Sequence, residues 1–154
     1  MVYNISIEIK KTGGTMLISR EVDYGIRIVL LLCEANRKMD AKEISEISGV
    51  SIRFTLKILG KLTSSDLVES FRGAKGGYIA AKKPEDISVY DIVEVLEGGI
   101  KVNGCFEDKT SCTTSKMALC GLRCKLERVN LKIKEELEKI TMDKLENCSG
   151  YDSQ

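Results

Sequence analysis

The stretch RGAKGGY at positions 72–78 constrains the fold of this 154-residue chain more than any other feature. It lies between two short apolar runs, Leu67 to Phe71 and Tyr78 to Ala81, which are typical of strands. Its three glycines allow a tight turn and a close approach of the backbone to another surface, while Arg72 and Lys75 carry charge that suits phosphate. The sequence therefore predicts a β-hairpin with a basic tip.

Two short helices are predicted directly before the hairpin. Asp40 and Glu43 have the spacing of a capping box, Gly49 is a natural turn residue, and Ser51 is placed to cap the next helix. This is a helix-turn-helix pattern, and a hairpin behind it is typical of the wing of a DNA-binding domain. The apolar residues predicted to face inward are Ile44 and Ile47 in the first helix and Leu56, Leu59 and Leu62 in the second.

Positive charge is concentrated in the same part of the chain. Residues 51–83 contain seven lysines and arginines and two acidic residues, although the formal net charge of the whole chain is +1. Phosphate binding requires a local basic face, and the second helix would present Arg53, Phe54 and Lys57 on its exposed early turns. The alternative is a basic face that is merely solvated.

A longer helix is predicted ahead of the pair, from the capping residue Ser19 to about Asn36. Residues 1–15 alternate only weakly between apolar and polar. They are either an N-terminal extension, or translation begins at Met16. The apolar residues that recur at helical spacing are Val22, Ile26, Val29, Leu30 and Cys33.

Two further helices are predicted after the hairpin. Ser88 and Asp91 form a second capping box, and that helix should end at the glycine pair 98–99. The last helix has a heptad-like apolar seam, which must be buried against its own core or against a second copy of the chain. A homodimer fits better, because little chain remains to cover the seam. The seam consists of Leu119, Leu122, Leu126, Val129, Ile133, Leu137 and Ile140.

The chain contains six cysteines and no histidine. Its apolar runs are too short to cross a bilayer and its first residues lack the apolar core of a signal peptide, so a cytoplasmic protein is expected. In that compartment cysteines are more often metal ligands or redox thiols than disulfides. Four of them lie between positions 105 and 124, whereas Cys33 fits a small buried hydrophobe and Cys148 an exposed tail residue.

These segments together resemble the Rrf2 family of bacterial transcription regulators, which includes IscR, NsrR, RirA and CymR. The resemblance rests on the capped helix pair, the RGAKGGY hairpin, the helix at 87–98, the cysteine loop and the ending ITMDKL at 140–145, and it covers residues 16–145. It implies a mainly α fold with a small β-hairpin, in which a winged helix-turn-helix domain is joined to a long C-terminal dimerisation helix. No catalytic arrangement of side chains is evident, so an enzyme is not expected.

The implied organisation is an N-terminal extension at 1–15, a winged helix-turn-helix DNA-binding domain at 16–99, a cysteine-containing cluster-binding loop at 100–118, a dimerisation helix with a short C-terminal element at 119–145, and a tail at 146–154.

The resemblance also implies a homodimeric repressor or activator. In many members of the family, operator binding depends on an iron-sulfur cluster that responds to iron, oxygen, redox state or nitric oxide. The helix beginning at Ser51 would enter the major groove of DNA and Arg72 the adjacent minor groove. The implied DNA-binding residues are Ser19, Ser51, Arg53, Phe54, Lys57, Arg72, Lys75, Gly76 and Gly77.

Ligand roles carry over from the cluster-binding members of the family to Cys105, Cys112 and Cys120. Their spacing is longer than usual, which leaves a two-iron and a four-iron cluster both open. The fourth ligand is either Cys124, one helical turn after Cys120, or Asp23 from the partner subunit. The alternatives to an iron-sulfur cluster are zinc, a thiol redox switch, and a cluster-free regulator of the cysteine-metabolism type that acts through a protein partner or thiol oxidation.

Overall fold

The computed structural model of the protein describes residues 18–73, 75–102 and 120–145. A 3-10 turn at Pro84–Asp86 lies between the hairpin and α4. The elements in chain order are α1 (Arg20–Ala35), α2 (Ala41–Ser48), α3 (Ile52–Ser64), β1 (Val68–Phe71), β2 (Gly77–Ala80), α4 (Val89–Glu97), α5 (Gly121–Glu138) and α6 (Met142–Leu145).

Helix α1 begins and ends where the sequence predicts. The Ser19 hydroxyl oxygen accepts a hydrogen bond from the Val22 amide at 3.4 Å, and Asn36 ends the helix with a φ of 45°. The acidic first turn lies at the positive end of the helix dipole. One face of α1 is buried and forms the centre of the core. The buried residues of this face are Val22, Gly25, Ile28, Val29 and Leu32.

Helices α2 and α3 form the predicted pair, but two of the predicted inward positions are wrong. Ile44 is fully buried, whereas Ile47 is 58% exposed and Leu56 is 49% exposed. Helix α2 has eight residues, of which only Ile44 is buried. Val50, which follows the end of α2, is buried instead of Ile47. In α3 the buried face runs through positions 55, 58, 59 and 62 at helical spacing, so Thr55 takes the place predicted for Leu56.

The predicted hairpin is confirmed. Strands β1 and β2 pair antiparallel, and Phe71 lies opposite Gly77. On the outer edge of β2, Met39 and Tyr78 exchange two backbone hydrogen bonds of 3.0 and 2.8 Å. Because Met39 is buried in the core, these two bonds attach the base of the hairpin to the helical part of the domain.

Helix α4 opens with the predicted reciprocal capping box between Ser88 and Asp91. It crosses α1 at Gly25, where an added Cβ would collide with the side chains of Leu96 and Ile92. A side chain at this position would therefore force the packed side chain of Leu96 to shift.

Helix α5 projects from this core, and α6 returns the chain to it. No residue of α5 is buried by the described part of the chain, and Leu122 and Val129 are 62% and 43% exposed. Leu137 packs against the core, and Met142 in α6 is fully buried, with its amide donating to the Ile87 carbonyl at 2.9 Å. Of the described seam residues, Leu122, Val129 and Ile140 are thus exposed, and Leu126, Ile133 and Leu137 are half-buried. The described residues also include no helix with the length and apolar character that a bilayer crossing needs.

Candidate nucleic-acid interface

The turn between α2 and α3 is held by two hydroxyl groups on one carbonyl. Ser45 Oγ donates a hydrogen bond to the Val50 carbonyl at 2.6 Å, and Thr55 Oγ1 donates to the same oxygen at 3.3 Å. Gly49 makes the turn itself, with a φ of 70°. Ser51 occupies the N-cap position of α3, but its side chain makes no capping hydrogen bond, contrary to the prediction. The shared carbonyl therefore fixes the direction in which α3 leaves the turn.

The first two turns of α3 present the predicted side chains to solvent. Ser51, Arg53, Phe54 and Lys57 are all exposed, and the last three line an open cleft of about 620 Å³. The Phe54 ring packs edge-on against Tyr24 of α1, with the ring centroids 6.2 Å apart. This contact fixes the direction of the ring, so that α3 offers a cation, an oriented aromatic ring and a hydroxyl group to a ligand.

Lys57 has an acidic partner on α1. Its Nζ lies 2.9 Å from Oε2 of Glu21, and Nζ of Lys61 lies 2.7 Å from Oε1 of the same carboxylate. Burial raises the pKa of the Glu21 carboxyl, but the hydrogen bonds and charges of the two lysines outweigh it and hold the pKa below its ordinary value. Glu21 is therefore ionised at neutral pH, and part of the basic charge of α3 is already neutralised.

The cations at the hairpin tip have no such partner. Arg72 and Lys75 are exposed, and neither forms an ion pair with any residue that the structure describes. Beside them, Nζ of Lys38 lies 3.8 Å from the centroid of the Phe71 ring, which is a cation–π contact. Lys38 is not among the residues that the sequence predicts for this surface. Its only local signal is the basic pair at 37–38, and its place beside the hairpin depends on the backbone pairing of Met39.

The two predicted tip glycines have structural roles. The Gly76 amide closes the tip by donating to the Gly73 carbonyl at 2.9 Å. Gly77 has a φ of 146°, and an added Cβ there would lie 2.8 Å from the carbonyl oxygen of Met39. These glycines shape the hairpin, and a direct contact with DNA is not needed to explain them.

Two other predicted residues lie in the first turn of α1. The Ser19 oxygen accepts the capping hydrogen bond, which leaves its proton free to be donated. The Asp23 carboxylate lies 2.8 Å from the guanidinium of Arg27, and both side chains are about half exposed. An exposed pair of this kind is worth about 0.5 kcal/mol, so Arg27 does not prevent Asp23 from taking another partner.

Of the four cysteines predicted as cluster ligands, Cys120 and Cys124 lie in the described part of the chain, and Cys105 and Cys112 lie outside it. Cys120 is half-buried at the N-cap of α5, and Cys124 is exposed one turn later, with its amide donating to the Cys120 carbonyl at 3.3 Å. Accessible thiols one turn apart fit the donor preference of an iron-sulfur cluster. The described residues alone contain no group of three or more side chains able to hold a metal ion. Cys33, predicted as a buried hydrophobe, packs against the core but is only half-buried.

Residues 18–147 match the protein family described as "Rrf2: Iron-dependent Transcriptional regulator". The chain is also similar to the HTH-type transcriptional regulator NsrR of Bacillus subtilis (strain 168). The two are 28% identical over 130 residues, which cover 82% of this chain and 88% of NsrR.

Two solved structures have the same fold. IscR of T. potens is 27% identical with a TM-score of 0.67, and the match covers 91% of this chain and 93% of IscR. CymR (YrzC), the global cysteine regulator of B. subtilis, is 27% identical with a TM-score of 0.63, covering 84% of this chain and 95% of CymR. Both matches cover more than four fifths of the chain, so the likeness is not confined to the helix pair.

Proposed function

This chain belongs to the Rrf2 family of transcriptional regulators, and from that premise we propose that it binds duplex DNA as a homodimer under the control of an iron-sulfur cluster. The family consists of regulators, not enzymes, and its winged helix-turn-helix fold is the fold of this chain. A protein that regulates transcription in bacteria works beside the chromosome, so we place it in the cytoplasm.

The observation that carries DNA binding is the set of cations without acidic partners. Among the described residues, Arg53 on α3 and Arg72 and Lys75 on the hairpin tip are exposed and form no ion pair. The phosphates of a duplex flank both grooves, so a protein that binds it needs exposed cations on more than one element. Here these are an arginine on α3 and an arginine on the hairpin tip. In this proposal Arg53 reads the major groove and Arg72 lies in the minor groove.

The proposed homodimer rests on α5. Its apolar seam is exposed at Leu122 and Val129 in the single chain, and exposed apolar side chains along an 18-residue helix are typical of a surface that pairs with a second copy. Two copies related by a twofold axis would place two α3 helices on successive half-sites of an operator. We accordingly assign DNA binding to residues 16–99, the cluster to the loop 100–118 with the start of α5, and dimerisation to 119–145.

Replacing Arg72 by alanine should weaken binding to a mixed-sequence duplex about 10-fold in about 0.1 M salt, because one phosphate or minor-groove contact is lost. The slope of log affinity against log salt should become shallower by about 1. Fluorescence anisotropy with a labelled duplex at several salt concentrations measures both quantities.

The matched control for this experiment is Arg128→Ala, which removes the same charge from an exposed position on α5. It should change the affinity less than two-fold. An equal loss for the two variants would show that only total charge matters and would contradict the proposed role of the hairpin.

We assign the cluster to Cys105, Cys112, Cys120 and Cys124, with Asp23 from the partner subunit as the alternative fourth ligand. The description of the family as iron-dependent and the accessible thiols of Cys120 and Cys124 support this assignment. A bound iron-sulfur cluster would supply a centre that reacts with oxygen or nitric oxide. The ligands at 120 and 124 would tie its state to the start of α5, the helix that pairs the two copies.

Protein purified without oxygen should be brown and should contain iron and sulfide in equal amounts. Cys120→Ser should abolish the visible absorbance, while Cys148→Ser, the control in the C-terminal tail, should keep it. Colourless, iron-free protein that still binds DNA under strict anaerobiosis would exclude cluster control.

That last result would favour the second candidate, a cluster-free regulator that responds through a protein partner or thiol oxidation. The similarity to CymR, the global cysteine regulator of B. subtilis, supports this candidate, and Cys120 and Cys124 would then be the reactive pair. Under this alternative, DNA binding should respond to peroxide and recover with a thiol reductant.

A further inference from the structure

A carboxylate from α1 lies between two lysines of α3. Glu21 binds Nζ of Lys57 at 2.9 Å through one oxygen and Nζ of Lys61 at 2.7 Å through the other. The Glu21 side chain is 22% exposed, against 52% for Lys57 and 37% for Lys61. The acid is therefore the inner member of the trio, and the ammonium groups are the parts that an approaching ligand meets.

The pairing of Lys57 with Glu21 affects the charge of the surface that α3 presents to a ligand. Lys57 lines the same open cleft as Arg53 and Phe54, and it also lines a second groove with Gly60 and Lys61. Arg53, one turn earlier, is unpaired among the described residues. Of the two cations at the exposed start of α3, one is thus free and the other is already neutralised.

Holding the helices together does not require Lys57. Lys61 binds Glu21 and also donates to the Leu96 carbonyl at the end of α4, at 3.0 Å, so it alone links α1, α3 and α4. The second, more exposed pair with Lys57 adds little to that link, since exposed ion pairs are weak.

We propose that Glu21 is an internal competitor of DNA phosphate for Lys57, and that it sets how strongly the protein holds DNA without regard to sequence. This inference rests on the proposed DNA binding. A phosphate that approaches Lys57 must displace the carboxylate or accept its repulsion, so the contact gains less than a free lysine would give. When the contacts to the DNA backbone are weaker, a larger share of the affinity comes from contacts to the bases, and the specificity of binding rises.

Glu21→Gln tests the proposal, because glutamine keeps the shape of the side chain and removes its charge. Binding to a mixed-sequence duplex should become about 3- to 10-fold tighter in about 0.1 M salt, and the salt slope should steepen by about 0.9, the value for one added phosphate contact. The control is Glu34→Gln, the same change at an exposed position of α1 that makes no ion pair with the described residues. It should alter the affinity less than two-fold.

A thermal melt would check that Glu21→Gln folds, and Lys57→Ala tests the proposal without that substitution. Lys57→Ala in the otherwise natural chain should weaken binding less than Arg53→Ala does. In the double variant Glu21→Gln with Lys57→Ala, most of the gain from Glu21→Gln should disappear.

Equal binding by Glu21→Gln and Glu34→Gln, weaker binding by Glu21→Gln, or equal losses for Lys57→Ala and Arg53→Ala would each overturn the competitor role. Failure of the natural protein to bind any duplex at low salt would instead remove the proposed function itself, so the two failures are distinguishable.

Discussion

Replacing Met142 by alanine should lower the free energy of unfolding by about 2–5 kcal/mol, the usual cost of truncating a fully buried side chain to alanine. Met142 is 0% exposed and is the buried residue of α6. The truncation leaves a cavity in the core cluster that also contains Ile87. Urea unfolding followed by circular dichroism measures the change.

Met142 also takes part in holding α5 to the domain. Helix α5 has no buried residue of its own in the described part of the chain. It contacts α4, Asn130 Oδ1 accepts a hydrogen bond from the Val102 amide at 3.1 Å, and α6 adds a further attachment to the core. Hydrogen exchange should therefore accelerate first in α5 and the backbone bond between Met142 and Ile87, before the rest of the domain opens.

The control for the anchor is Leu131→Ala, which removes a large apolar side chain that is 54% exposed on α5 and outside the predicted seam. Its effect should stay within about 0.5 kcal/mol. If Met142→Ala were equally harmless, α5 would have to be held to the core by contacts other than α6.

Replacing Gly77 by alanine should cost about 2–5 kcal/mol, from backbone strain and overpacking together. A residue with a side chain rarely adopts a φ of 146°, and the added Cβ would lie 2.8 Å from the Met39 carbonyl oxygen. That neighbour is backbone within a paired bridge, so it cannot move aside without breaking the two hydrogen bonds between Met39 and Tyr78. A thermal melt measures the loss of stability, and anisotropy with the duplex should show weaker binding as the hairpin shifts.

Gly49→Ala separates the two causes. Gly49 also has a positive φ, 70°, but an added Cβ there meets no atom within 4 Å. Gly49→Ala should therefore lower the free energy of unfolding only by the cost of the left-handed backbone conformation, about 1–2 kcal/mol. Equal losses at both glycines would mean that the close approach to Met39 contributes nothing.

Local chemistry made much of the fold predictable. Ser19 and the box of Ser88 with Asp91 mark helix starts because capping involves residues within three positions of one another. The glycine-rich tip marks the hairpin for the same reason. Two predictions that failed, Ile47 and Leu56 as inward-facing residues, concern which side of a short helix meets its neighbours. Periodicity alone cannot decide this when adjacent faces are both apolar.

The candidate interface was likewise predictable from the sequence only in part. Residue type and position predict Arg53, Lys57 and Arg72, and all three side chains are exposed. They do not predict the pairing of Lys57 with Glu21, which lies 36 residues away along the chain. A charge count treats every lysine as equivalent, whereas an ion pair depends on which helices touch.

The amino-acid order by itself determined where helices and strands begin and turn, because caps, glycine turns and hydrophobic periods act over a few residues. Only the tertiary structure decided which cations are free and which are neutralised, that Met142 is buried in the core, and which residues of the α5 seam stay exposed. These features depend on segments that are distant in the sequence but lie within a few ångströms of each other in the fold. Van der Waals contacts and ion pairs between side chains act only over such short distances.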